Sequence, residues 1–315
     1  MDLQAHRIAE AADTIDPVFL NTPQFFDEHL GARLGREVLV KVETVNPLRC
    51  FKGRGADFLM SGLPPSSRVV CASSGNFGAA MAYTGRARGI PVEVFAGSGL
   101  NPAKAARMAA FGAEVITVDG DPHGAAAEHA AARGRLFVTD GKEAAVAEGA
   151  GTIGLELLRS GPFDAVVVQI GDGALINGVA RWFKEHAPAT KIIGVCAVSA
   201  PALAESWRAG HPVEIEPDTI AEGINIGNPV PESVVRMREL VDDIVLVDDA
   251  ALLSAMALAR ETLGLTLEPA GAAGLAAVAS HDLPGNRVAT VLTGSNLNPA
   301  LAATETRPAG AAMAG

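Results

Sequence analysis

Residues 164–183 read Asp-Ala-Val-Val-Val-Gln-Ile-Gly-Asp-Gly-Ala-Leu-Ile-Asn-Gly-Val-Ala-Arg-Trp-Phe. The stretch 165–170 is almost continuously apolar, so the strand it forms has both faces covered, as in the interior of a parallel sheet. A glycine-rich turn follows, then helical periodicity from Leu175. Short Val- and Ile-rich runs of the same kind recur at 38–42, 68–72, 92–96, 114–118, 192–198, 244–247 and 289–292, each followed by a helical segment. That alternation predicts an α/β protein with parallel sheets wrapped by helices. The helices expected over 78–88, 101–111 and 250–263 are Ala-rich, with small side chains where a helix must lie close on a sheet.

Two breaks interrupt the pattern. Pro64-Pro65-Ser66-Ser67 is one, and Asp140-Gly141-Lys142 is the other. They divide the chain into a smaller βα domain, 67–142, inserted into a larger one made of 1–66 and 143–315. A length of 315 residues with 49% hydrophobic content supports cores of that size. The balance of 25 basic against 36 acidic residues, with no basic run, argues against nucleic acid or an anionic membrane surface as partner. No segment has the apolar length of a signal peptide core or a membrane span, which places the protein in the cytoplasm. Three widely spaced cysteines fit reduced thiols. Seven scattered histidines without metal-binding spacing predict no metal site. The tail from Thr306 has the composition of a disordered segment.

Three strand ends and one lysine carry the chemistry. Ser73-Ser74-Gly75-Asn76-Phe77-Gly78 follows the strand at 68–72 and opens a helix; small polar residues there aim backbone N–H groups at one spot, where the helix dipole adds positive potential. The same pattern also serves as a plain helix cap. Gly171-Asp172-Gly173-Ala174 can form a phosphate nest with the N–H of Leu175, or simply a tight connection. It has neither the GxGxxG spacing nor a following GK[ST], so NAD and nucleoside triphosphates are not favoured. Thr293-Gly294-Ser295-Asn296 ends the last strand in hydroxyls. Lys52, one of six lysines, lies in Cys50-Phe51-Lys52-Gly53-Arg54-Gly55-Ala56. Its apolar neighbour and flanking glycines suit an amine whose pKa burial depresses, although taken alone the commoner reading is a solvated surface lysine.

Together these motifs resemble the fold-type II pyridoxal-phosphate enzymes, the family of serine and threonine dehydratases, serine racemases and cysteine synthases. The likeness runs from about Val38 to Asn296 and takes in Glu148-Gly149-Ala150-Gly151-Thr152-Ile153 and Glu268-Pro269-Ala270-Gly271-Ala272. It implies two domains, each a three-layer α/β/α unit around a parallel sheet, and pyridoxal 5'-phosphate held by Lys52 as a Schiff base beside Phe51. The larger domain would bind the cofactor and 67–142 would grip the substrate. Asn76 would meet the cofactor 3-hydroxyl, and the backbone of Ser73, Ser74, Gly75, Asn76 and Phe77 the substrate carboxylate. Gly171, Asp172, Gly173, Ala174 and Leu175 would cradle the phosphate, and Thr293 the pyridine nitrogen. Lys52 would act as base, with Ser74 as the acid/base of the opposite face in racemases.

The sequence departs from the family pattern at several positions. Cys50 stands where a serine is usual, Phe77 where many members have histidine, and Asp172 and Ala174 where the loop has glycines. A carboxylate aimed at a phosphate dianion is repelled, so the loop reading requires Asp172 to point outward, capping the helix. Val198 and Ala204 occupy the positions of acidic metal ligands in metal-activated members, with Glu205 one residue off. The chain ends soon after Thr293, so the regulatory module of biosynthetic threonine dehydratases is not expected.

The reaction implied is β-elimination from a serine- or threonine-like amino acid to a 2-oxo acid and ammonia, by a homodimer. The resemblance also admits β-replacement or racemisation, and a non-catalytic pyridoxal-phosphate or amino-acid binding protein is the alternative of another class.

Overall fold

The computed structural model describes residues 1–298 and 301, so the tail from Thr306 lies outside the described residues. Ten strands form two sheets among those residues: β1 (Gln24–Phe26), β2 (Glu37–Val42), β3 (Val69–Ala72), β4 (Val92–Gly97), β5 (Glu114–Val118), β6 (Leu136–Val138), β7 (Ala165–Gln169), β8 (Lys191–Ala197), β9 (Asp243–Val247) and β10 (Arg287–Leu292). The larger sheet has the order β1-β2-β10-β7-β8-β9, the smaller β5-β4-β3-β6. Every pair is parallel except β1 with β2. The smaller sheet is built entirely from strands between 69 and 138. The fold is thus the expected α/β class, with two parallel-sheet-centred units. Among the described residues no helix is long and apolar enough to cross a membrane.

The central strand β7 is buried along its whole length, which is why its sequence shows no alternation. Helices Ala144–Leu158 and Ala174–His186 pack so closely that a Cβ on Gly178 would stand 1.9 Å from the carbonyl oxygen of Ala147. Small residues at such positions let one helix backbone lie directly on another.

Helix Lys52–Ser61 is anchored by a charged cluster two residues beyond its first residue. Arg54 is fully buried and donates to Glu43 (Nε–Oε2 3.0 Å, Nη2–Oε1 2.8 Å), to Glu156 (Nη1–Oε1 2.7 Å) and to Thr152 Oγ1 (3.0 Å). Burying a guanidinium is tolerable only with such complete pairing. Burial opposes ionisation of Glu156, but Arg54 and Lys41 outweigh it and hold the carboxyl down to about 2. A Cβ on Gly55 would meet the carbonyl of Val146 at 2.4 Å. The Lys-Gly-Arg-Gly sequence therefore seats the helix start, and with it Lys52, against the larger unit.

Candidate active site

The C-terminal ends of β3, β7 and β10 open into one cavity of about 670 Å³, the usual place for a ligand in parallel α/β folds. All the residues marked in the sequence as facing cofactor or substrate line it: Phe51 and Lys52, residues 73–77, residues 171–175, and Thr293.

Lys52 lies between two rings, its Nζ 4.7 Å from the centroid of Phe51 and 5.9 Å from that of Phe77. It is ion-paired to Asp140 Oδ2. The sequence led to an amine of depressed pKa, and the structure reverses that. Burial does pull Lys52 down, but the carboxylates of Asp140 and then Asp172 outweigh it and raise the amine above its ordinary value. Asp140 was read only as part of a domain break. It is buried, and among the described residues its Oδ1 has no hydrogen-bond partner.

The sequence also required Asp172 to turn outward and cap a helix, which it does not do. Helix Ala174–His186 has Gly173 at its N-cap and no side-chain cap, and Asp172 lines the cavity. Burial, then the charge of Asp140, pushes its carboxyl up to about 7, while its own backbone N–H donates to it. Gly141 explains the proximity: at φ +80°, a Cβ there would stand 2.1 Å from the carbonyl oxygen of Asp172, so the Asp140 segment packs directly on the glycine turn.

The rest of that turn keeps the character of an anion nest. Among the described residues no hydrogen bond engages the N–H of Gly171, Gly173, Ala174 or Leu175. Gly173 holds φ +90°, and a Cβ on it would stand 1.9 Å from Ser233 Oγ. Only glycine combines that left-handed backbone with that contact.

At the end of β3, Ser73 is used by the fold. Its N–H donates to Phe95 O, and its Oγ accepts from Gly75 N (3.2 Å) and Gly78 N (3.0 Å). The N–H groups of Ser74, Asn76 and Phe77 make no hydrogen bond among the described residues, at the start of helix Asn76–Arg88. Asn76 is fixed on both sides, donating to Glu268 Oε1 (2.8 Å) and accepting from Asn296 Nδ2 (2.7 Å). Burial raises the Glu268 carboxyl to about 7. Glu268 was quoted as part of a helix motif without a role; Asn296 closed a motif in the same way.

Thr293 Oγ1 accepts from Gln169 Nε2 (2.8 Å), which leaves the threonine proton free to donate into the cavity. Cys50 lies under the site at 1% exposure, its thiol pushed up to about 12 by burial and then by Glu268. It stays neutral beside Lys52.

These groups fit pyridoxal phosphate. An amine, a nest of free N–H groups and a hydroxyl with its proton available match respectively an aldehyde, a phosphate and an unprotonated ring nitrogen. Within the glycine turn Asp172 is the group of the wrong sign for a phosphate.

Residues 15–294 match the model of the family described as "Pyridoxal-phosphate dependent enzyme". The chain belongs to that family. Its relatives include the L-threonine ammonia-lyase of Geobacter sulfurreducens, 33% identical over 302 residues, covering 92% of this chain and 75% of the relative. The serine racemase of Arabidopsis thaliana is 32% identical over 313 residues, covering 92% of each chain. The structure of maize serine racemase superposes with a TM-score of 0.89 at 28% identity and covers 97% of both chains. Like other members of this family, the chain is a pyridoxal-phosphate-dependent enzyme.

Proposed function

We propose that this enzyme carries out β-elimination on a β-hydroxy amino acid of the serine or threonine type, giving a 2-oxo acid and ammonia. The observation that supports it most is the convergence of three strand-end turns on Lys52, with their donors free. When bound, pyridoxal phosphate supplies the conjugated ring that acidifies the substrate Cα–H. The N–H groups of Ser74, Asn76 and Phe77 hold the substrate carboxylate at the positive end of helix Asn76–Arg88. Phe51 and Phe77 keep water from the Lys52 amine, which takes the Cα proton. Thr293, its Oγ1 already accepting from Gln169, would donate its proton to the ring nitrogen of the bound cofactor, a setting that favours loss of a β-leaving group over transamination.

The 67–142 segment acts in this reading as the substrate-gripping domain, and the remainder as the cofactor-binding domain of a cytoplasmic homodimer. Asp140, from the smaller unit, holds the Lys52 proton before the cofactor is loaded.

The test is direct. Purified protein supplied with pyridoxal phosphate should develop cofactor absorbance that Lys52→Ala abolishes, and should release ammonia and a 2-oxo acid from serine or threonine. Absorbance with no release from any β-hydroxy amino acid would overturn the elimination reading.

Racemisation is the second reading. It is favoured by Ser74, which lines the cavity with a hydroxyl that no other group engages among the described residues. A Ser74→Ala enzyme that keeps ammonia release but loses D-amino-acid formation would establish it.

A further inference from the structure

Arg49 occupies a conformation that a residue with a side chain rarely adopts, φ +53°. The turn enforces it. Arg49 N donates to Asn46 O (2.9 Å), Asn46 Nδ2 donates to Cys50 O (3.0 Å), and Ser295 N donates to Arg49 O (3.0 Å). Glycine would sit there without strain, so the turn holds the arginine at a backbone cost. Strain of this kind collects at functional sites. The side chain lines the cavity, and among the described residues it makes no hydrogen bond or ion pair.

Arg107, on helix Pro102–Ala110, comes to the same place from the smaller unit. Its Nη2 donates to Leu48 O (2.7 Å), its Nη1 donates to Asn296 Oδ1, and its guanidinium stands 5.3 Å from the Phe111 centroid. No carboxylate forms an ion pair with it among the described residues. Three other ionic groups of the cavity are engaged: Lys52 pairs with Asp140, Lys104 with Glu222, and Glu268 accepts from Asn76. Burial and then the Arg49 charge lower the Arg107 guanidinium pKa, with Cys50 and Glu268 opposing them, so the two cations stand close enough to feel each other. In a chain of net charge -11 this is no part of a generally basic surface.

We propose that Arg49 and Arg107 form an anion subsite for the substrate side chain, so that the amino acid taken by this enzyme ends its side chain in a carboxylate or phosphate. The inference rests on the reading of the cavity as an amino-acid site. Guanidinium forks match both anions in bidentate geometry, and an anion between them relieves the repulsion of the unliganded pair. With a β-hydroxyl as leaving group the substrate would be a 3-hydroxyaspartate. With phosphate as both anion and leaving group it would be O-phosphoserine.

The test uses the cofactor-loaded enzyme and its absorbance as a binding signal that needs no turnover. Aspartate is titrated against its neutral isostere asparagine, and O-phosphoserine against serine, in both enantiomers. At least one anionic ligand should bind tenfold or more tightly than its neutral partner, with a preference that weakens as salt rises. Arg49→Gly, which the backbone accommodates, should bring that preference within twofold, and Arg49→Lys should keep part of it. The proposal fails if each pair binds alike, or if the preference survives unchanged in both Arg49→Gly and Arg107→Gln. An anion preference without ammonia release from 3-hydroxyaspartate, O-phosphoserine, serine or threonine would sink elimination and leave the subsite standing. Ammonia release from serine without any anion preference would do the reverse.

Discussion

Lys52 and Asp140, 88 residues apart in the chain, close an ion pair that keeps the lysine an ammonium ion in spite of its burial. An ammonium is no nucleophile, so the pair sets how readily the cofactor loads. Asp140→Asn leaves burial as the larger influence and should bring the amine down. Cofactor uptake near pH 7.5 should then accelerate several-fold, and its pH profile should move to lower pH. Stopped-flow absorbance on cofactor-free protein measures both. An unchanged profile would mean that Asp140 does not hold the proton.

Asp172 should make cofactor affinity fall as pH rises. Its carboxyl, raised to about 7 by burial and Asp140, is largely neutral below that pH and charged above it, where it would repel a phosphate held by the turn. Asp172→Gly should remove the slope and tighten binding at pH 8 by roughly tenfold, the effect of about one pKa unit of repulsion. Stability of the cofactor-free chain follows the same sign. A carboxyl raised from 3.8 to about 7 on folding contributes stability that is complete below the unfolded value and lost as pH rises through the folded one. The Tm advantage of Asp172→Asn should therefore grow between pH 4 and 7 and then level off.

Arg54→Met should destabilise the protein by about 3–5 kcal/mol in denaturant titration, because it strips Glu43 of its ion-pair partner and leaves Glu156 with Lys41 alone. A loss below 1 kcal/mol would show that Lys41 alone satisfies the two carboxylates.

Gly173→Ala combines an unfavourable backbone, costing about 1–3 kcal/mol, with an overlap on Ser233 Oγ. It should weaken cofactor binding at least tenfold in equilibrium titration. Adding Ser233→Ala should recover only part of the loss, since the backbone strain remains.

The buried strands were legible because each is a run of Val and Ile that only a two-faced covering tolerates. Strands β1 and β6 were not foreseen. Each is three residues long and carries no such run; β1 is held by antiparallel pairing with β2, and β6 by parallel pairing with β3. The turns at Ser73, Gly171 and Thr293 could be read locally because their chemistry lies in consecutive residues. The state of Lys52 could not, since the group that decides it arrives from Asp140, 88 residues on and just past β6. Asp172 failed for the same reason: its direction depends on Gly141, whose missing Cβ lets a distant segment press against the turn. Arg49 left a trace in sequence, an arginine in a turn next to the cofactor lysine motif, but its backbone strain appears only in three dimensions.

Helix Pro102–Ala110 reaches across the cavity from the smaller unit, with Lys104 on Glu222 and Arg107 on Leu48 and Asn296. One of these contacts is a partly exposed ion pair that dissolved salt weakens. Product escape, often the slowest event in a closing enzyme, would then answer to ionic strength. A turnover number that climbs with added salt while substrate capture weakens would be the kinetic mark of this fastening.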